Sequence, residues 1–332
     1  MIERARSALR FAPLALVALP LLLKRTGLDL ASIWLLYVGL ALGISIVIQR
    51  TGLLDLGYAA YYAIGAYCYA LLGTVYGVSF WLCLPLAALL AAFVAALVGT
   101  PLLRLKGDYF AIGTLGFAEI LNIFIRNEDW LTGGANGLSD VPRPTLFGLD
   151  FARTPGEGLR SFHEAARLDF SGEQRLMFYY FIILGIVGLL VLLHRRLAKS
   201  NLGRAFEAVR EDEIACQALG LNVARLKIAA YSMAAAIGGI MGCFFAAKQG
   251  FVSPESFGFM ESITVLAIAV LGGGRPLGIM LAALVLVLIP ELARDLQDYR
   301  MVFFGAILVV VMLLRPQGLG GLRTPSVTAR MP

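Results

Sequence analysis

Residues 195–227 read RRLAKSNLGRAFEAVREDEIACQALGLNVARLK, a basic and polar stretch set in a chain that is otherwise almost entirely apolar. Leu202, Phe206 and Val209 recur at four- and three-residue spacing, which puts them on one face of a helix. Asp212 stands where it would cap a second short helix. Glu213 then falls in a first turn whose dipole favours acid, and Gly220 supplies a left-handed stop. The pairs Ile214/Ala218 and Ala215/Leu219 lie at four-residue spacing, and Arg210, Glu211 and Asp212 sit at the bend. The stretch is therefore predicted as a folded helical platform. A solvated hairpin that only tethers two helices is the competing reading. Length, capping signals and clustered charge together favour a docking surface, because a rigid helix held between two spans can pass force from a soluble partner into a bilayer.

On both sides of this platform the chain is membrane-like. Its 332 residues are 59% hydrophobic, with a mean hydropathy of +0.80, well above the roughly 45–50% apolar content of a soluble domain. Apolar runs near the roughly 20 residues needed to cross a bilayer are expected at 8–23, 30–49, 57–77, 80–102, 109–125, 177–194, 228–247, 259–274, 277–293 and 301–314. The fold class is thus an all-α, polytopic transmembrane bundle of about ten spans, a single domain over 1–332. Arg4, Arg6 and Arg10 precede the first run as in a signal peptide, but Lys24 and Arg25 follow where a cleavage site would need small residues. That run is read as an uncleaved helix.

The net charge of +6 and pI near 9.2 reflect topology and not nucleic acid, because the charges fill the gaps between apolar runs. Counting the basic residues by side, with the long loop 126–176 set aside, gives 17 on the side of the N-terminus and the platform and 5 opposite. Both termini and the platform at 195–227 are accordingly expected in the cytoplasm. Cys68, Cys83, Cys216 and Cys243 form no close pair, and His163 and His194 are far apart, so neither a disulfide framework nor a metal site is indicated. No cofactor is expected, and no P-loop occurs: Gly272–Gly274 runs into Arg275-Pro276 where Lys followed by Ser or Thr would be required.

Small residues four apart (Gly39 with Gly43, Gly73 with Gly77, Gly238 with Gly242, and Ala87, Ala91 and Ala95) mark faces where helix backbones can approach closely. Asp55, Glu119, Glu261 and Glu291 fall in or at the ends of apolar spans, where an ionised carboxylate costs about 2.5–3.5 kcal/mol at the helix centre. Glu119 is the most interior of these and is the candidate for a translocation pathway, against a structural pairing with a neighbouring helix. In the loop 126–176, the run Thr132, Gly133, Gly134, Ala135, Asn136, Gly137 is either a turn cluster or a docking surface for a partner on the outer face.

Six blocks together carry a family resemblance: GLLDLGYAAYYAIGAY (52–67), LRLKGDYFAIGTLGFAEI (103–120), LTGGANGLSDVPRP (131–144), GRAFEAVREDEIACQALGLN (203–222), QGFVSPESFGFMESITVLAIAVLGG (249–273) and YRMVFFGAILVVVMLLRPQGL (299–319). Over nearly its whole length the chain resembles the LivM-type permeases of branched-chain amino acid ABC importers. The resemblance implies a bacterial inner-membrane subunit that moves leucine, isoleucine or valine. Its implied partners are a LivH-type permease, two cytoplasmic ATPases and a periplasmic amino-acid-binding protein. It also implies an ATPase-coupling block on Gly203, Arg204, Glu207, Ala208, Arg210, Glu211, Asp212, Glu213, Ala215 and Gly220. Here Ala215 precedes the glycine by five positions where the general importer pattern has four. Related permeases imply other cargoes as alternatives: urea, short amides or other amino acids. An ion-driven carrier using Glu119 is the rival from a different class, and an intramembrane enzyme lacks any paired catalytic residues in the spans.

Overall fold

The computed structural model describes residues 25–105, 107–145, 149–150, 160–161, 172–288, 305 and 309. The helix expected at 8–23, most of the span at 301–314, the end of the span at 277–293, much of the loop 126–176, His163 and Glu291 lie outside the described residues. The described helices are α1 (Arg25–Thr51), α2 (Ala59–Tyr76), α3 (Phe80–Leu102), α4 (Asp108–Asn127), α5 (Gly172–Lys199), α6 (Asn201–Glu211), α7 (Glu213–Ala218), α8 (Val223–Gln249), α9 (Phe259–Gly272) and α10 (Pro276–Ala283). A two-residue parallel pair joins Leu149–Asp150 to Arg160–Ser161.

Among the described residues, six helices are long and apolar enough to cross a membrane: Thr26–Thr51, Phe80–Leu102, Asp108–Asn127, Arg175–Lys199, Val223–Gln249 and Pro254–Gly272. The expected span at 57–77 is a helix but does not join this set, because five tyrosines in α2 lower its hydropathy. Pro276–Val287 is a shorter apolar helix, which ends in a π-helical turn at Leu284–Leu288.

Burial sorts the helices into a centre and a rim. The apolar window of α1 is 83% buried and that of α8 61%, against 28% for α3, 22% for α4 and 33% for α5. A rim helix that leaves apolar side chains such as Leu89, Phe93 and Leu97 outward suits lipid and not water.

The centre is held by backbone-close packing of the kind expected where lipid is as apolar as leucine. Gly65 of α2 lies so near Gly239 of α8 that a methyl group there would overlap the Gly239 carbonyl. On its other side Gly239 faces Ala87 and Ala91 of α3, with an added Cβ only 2.5 Å from the Ala87 carbonyl oxygen. Gly238 and Gly242, flagged by spacing, both pack against α2, Gly238 on Tyr58 and Tyr61 and Gly242 on the Tyr62–Ala66 backbone. Gly239, which spacing missed, packs on α2 and α3 at once.

Several polar groups inside the bundle are paired across helices, as a low-dielectric interior favours. Tyr58 Oη donates to the Ala234 carbonyl at 2.9 Å, Tyr61 Oη to Tyr231 Oη at 2.9 Å, and Trp34 Nε1 to the Met280 carbonyl at 3.0 Å. Between α1 and α2 the segment 52–58 is not helical, yet Asp55, Tyr58 and the first residue of α2 are buried. Side chains satisfy the backbone N–H groups where this segment runs into α2. Leu56 N donates to Thr114 Oγ1 at 3.1 Å, Gly57 N to Asp55 Oδ1 at 2.8 Å, and Ala59 N to Ser262 Oγ at 2.9 Å. Irregular backbone inside a membrane bundle is stable only when supplied with partners in this way. The interior carboxylate is therefore Asp55 and not Glu119.

Candidate functional site

Three polar side chains cap three helices in succession and give the platform its shape. Ser200 Oγ accepts from Gly203 N at 3.0 Å and starts α6. Asp212 Oδ1 accepts from Ile214 N at 2.8 Å and Ala215 N at 3.0 Å and starts α7. Asn222 Oδ1 accepts from Arg225 N at 3.0 Å and starts α8. Gly220, with φ of 82°, makes the turn between the last two, as its sequence position predicts. The expected boundaries 195–227 narrow accordingly. Arg195, Arg196 and Lys199 belong to the last turns of α5, and Arg225 and Lys227 to the first turns of α8, because the helices run on until Ser200 and Asn222 interrupt them.

The inward face of α6 is Gly203, Phe206 and Val209; Leu202 is 40% exposed and is not part of it. Gly203 takes the position next to the core because α6 crosses the end of α5 there, against the Leu197 carbonyl, too closely for a side chain. Phe206 joins the main core, whereas Val209, Cys216 and Val223 form a small second core that binds α6, α7 and α8 together.

Three charged residues of the expected coupling block, themselves exposed, reach neighbouring helices as anchors. Glu207 Oε1 pairs with Arg50 Nη1 at 2.7 Å, tying α6 to the end of α1; Arg50 is only 8% exposed. Arg210 Nη1 donates to the Gln49 carbonyl at 2.5 Å, and Glu213 pairs with Lys227 of α8. Between these anchors and the Gly273–Gly274 turn lies a cavity of about 440 Å³ lined by Gln49, Arg50, Glu207 and Arg210. Ala208 is half-buried; Arg204, Glu211, Asp212, Ala215 and Gly220 are exposed.

What projects furthest is apolar. Ile214 is 80% exposed and Leu219 82%, flanked by exposed Ala215 and Ala218. Neither Ile214 nor Leu219 was among the expected coupling residues. The signal was present: Asp212 as N-cap sets the phase of α7, and with Cys216 inside, the residues on either side of it point out. Within the described residues the basic side chains Arg50, Arg210 and Lys227 meet at this end of the bundle, while Lys248, paired with Asp29 at 2.7 Å, marks the far end.

Glu119 lies midway along α4, as expected from its place in the apolar run, and is exposed on the outside of the described bundle. The buried face of α4 runs through Phe110, Thr114 and Ile125 and leaves Glu119 off it. At the far end, the Thr132–Gly137 run is a compact turn. Thr132 Oγ1 bonds the Ile125 and Glu128 carbonyls at 2.5 and 2.7 Å, and Leu138 bridges to Val252. Thr132 and Gly134 are buried, Gly133 and Gly137 half-buried, and Asn136 exposed beside Trp130.

Apolar helices of membrane-crossing length, a rigid platform with an apolar tip at one end and a structured loop at the other define a membrane transport subunit. The chain belongs to the family of permease components of branched-chain amino acid transport systems, whose profile matches residues 26–312. It is 49% identical over 305 residues to the high-affinity branched-chain amino acid transport system permease protein LivM of Escherichia coli (strain K12), covering 91% of this chain and 72% of that one. It is 26% identical to the permease protein BraD of Pseudomonas aeruginosa, over 86% of this chain and 91% of that one. It is 25% identical to the permease protein LivH of Escherichia coli (strain K12), over the same shares of the two chains. No solved structure matches.

Proposed function

We propose that this chain is the LivM-type permease subunit of an ABC importer for leucine, isoleucine and valine, forming half of the translocation pathway in a bacterial inner membrane. It is a single permease domain of ten spans with both termini and the platform in the cytoplasm. Its partners are a LivH-type permease, two cytoplasmic ATPases and a periplasmic amino-acid-binding protein; energy arrives from the ATPases and the chain makes or breaks no covalent bond. The relatives' names support the cargo, and the clustering of basic residues at the platform end supports the orientation.

The observation that carries the coupling role is the exposed pair Ile214 and Leu219 at the two ends of α7, whose Glu213 is tied to α8 while the adjoining α6 is tied to α1. An apolar tip in water needs a partner groove, and its anchors hand any displacement of the tip to the central helix α1. Glu119 supports the permease–permease contact or the pathway, because a mid-span carboxylate facing lipid is costly and a partner or an aqueous path removes that cost. The exposed Asn136 and Trp130 offer the binding protein a docking point.

The test is co-purification of the chain with its partners, followed by reconstituted uptake. Ile214→Asp with Leu219→Asp is expected to release the ATPase subunits, leave the second permease bound, and abolish ATP-driven leucine uptake. Retained ATPases with uptake at the parent rate would overturn the coupling role. Uptake by the purified chain alone in an ion gradient would replace the whole reading with an ion-driven carrier. Competition by urea, short amides or other amino acids over leucine would change the cargo and keep the mechanism.

A further inference from the structure

At the end of the bundle opposite the platform, a cavity of about 340 Å³ opens between α1, α2, the last two turns of α8 and the start of α9. Ligand pockets run from roughly 300 to 1,000 Å³, so this one suits a ligand of few heavy atoms. One side is charged. Lys248 Nζ pairs with Asp29 Oδ1 at 2.7 Å, and Glu261 and Ser256 line the same space. Lys248 is 10% exposed whereas Asp29 is 49% exposed, so the cation is fixed in the wall and its counter-ion reaches toward water. The other side is apolar: Tyr62 and Phe245 meet with ring centroids 5.3 Å apart, beside Leu36.

The lining holds one cation and two carboxylates against an aromatic wall. An anion entering alone would take Lys248 from Asp29 and leave that carboxylate beside Glu261, and a cation entering alone would lie beside Lys248, so either brings like charges together. A zwitterion avoids it. Its carboxylate replaces Asp29 on Lys248 while its ammonium takes the released Asp29, so each charge ends with a partner.

We propose that this cavity is a receiving subsite for a free α-amino acid, whose carboxylate pairs with Lys248, whose ammonium pairs with Asp29 and Glu261, and whose branched side chain lies on Tyr62 and Phe245. The proposal deepens the amino-acid permease reading and rests on it. It gives that permease a site that selects for the two charged ends together and for an apolar side chain of limited size.

The test uses the assembled importer in lipid discs with Ser256→Cys as a reporter. A neutral maleimide labels it, and the parent protein, whose Cys68, Cys83, Cys216 and Cys243 are buried, gives the background. At leucine ten times its half-protecting concentration, labelling slows by about tenfold. Isocaproate, which lacks the ammonium, and isopentylamine, which lacks the carboxylate, leave the rate unchanged. Lys248→Met raises the half-protecting leucine concentration by at least about tenfold. Gln249→Cys serves as a second reporter should Ser256→Cys fail to assemble. Labelling indifferent to leucine at both positions, or slowed equally by either one-ended analogue, overturns the subsite. ATP-driven leucine uptake by the same preparation separates the two readings: uptake without protection sinks the subsite alone, and absence of both sinks the amino-acid reading with it.

Discussion

Asp212 shows how one side chain positions a partner surface without touching the partner. Its carboxylate accepts two backbone N–H groups at the start of α7 and so fixes which residues of that six-residue helix point outward. Asp212→Ala removes both bonds at a cost of about 1 kcal/mol. Amide exchange at Ile214 and Ala215 is expected to accelerate and ATP-driven uptake to fall, while Asp212→Asn, which keeps an acceptor, retains both. Glu207 acts through Arg50 in a similar way. Glu207→Gln weakens an ion pair whose cation is nearly buried, and about 1–3 kcal/mol of local stability goes with it. Measured as a double-mutant cycle with Arg50→Met, the two substitutions should couple instead of adding. The Asp212 cap was legible because it is a polar residue directly before a helical period; the Ser200 and Asn222 caps were not read from the sequence. The anchors were not: Arg50 and Glu207 are 157 residues apart, and nothing local marks a glutamate in a charged stretch as spoken for.

The helix crossings rest on a few sites where backbone meets backbone. Gly239 packs on α2 and α3 at once, so Gly239→Val forces side-chain volume against the Ala87 carbonyl and Ala91. Overpacking of this kind costs about 1–3 kcal/mol, read as a lower melting temperature in detergent and a loss of monodispersity. Gly185→Ala and Gly188→Ala in α5, where an added methyl meets nothing within 4 Å, should leave both measurements unchanged. Element identity followed from apolar runs and their breaks, which is why the platform and most spans were readable. Element orientation was harder. Glu119 was placed centrally in an apolar run, and it is central, but which side of α4 it faces was not readable: Phe110, Thr114 and Ile125 define a buried stripe that excludes it. Hydropathy averaged along a helix loses the angle around it. α2 was expected as a span at 57–77 and is a helix whose tyrosines lower its hydropathy, yet Tyr61, Tyr62 and Tyr69 are buried, and Tyr61 and Tyr69 find acceptors within the fold.

Among the described residues the molecule has a buried centre of α1, α2 and α8 and a rim that is apolar outward, interrupted midway along α4 by Glu119. Glu119→Gln is expected to leave the permease pair intact and lower uptake about tenfold or more if the residue faces the pathway. Quantifying the second permease in pull-downs beside the uptake rate separates that outcome from failed assembly, and normal values of both would remove Glu119 from the pathway. The segment 52–58 adds a consequence for biogenesis. Leu56 N and Ala59 N take partners from Thr114 on α4 and Ser262 on α9, and Ser262 is translated 203 residues after Ala59. The nascent chain must therefore keep this stretch hydrated at the membrane edge and draw it inward only after translation has passed residue 262. A protease site placed there would be cut in ribosome-bound intermediates and resist cutting in the mature protein.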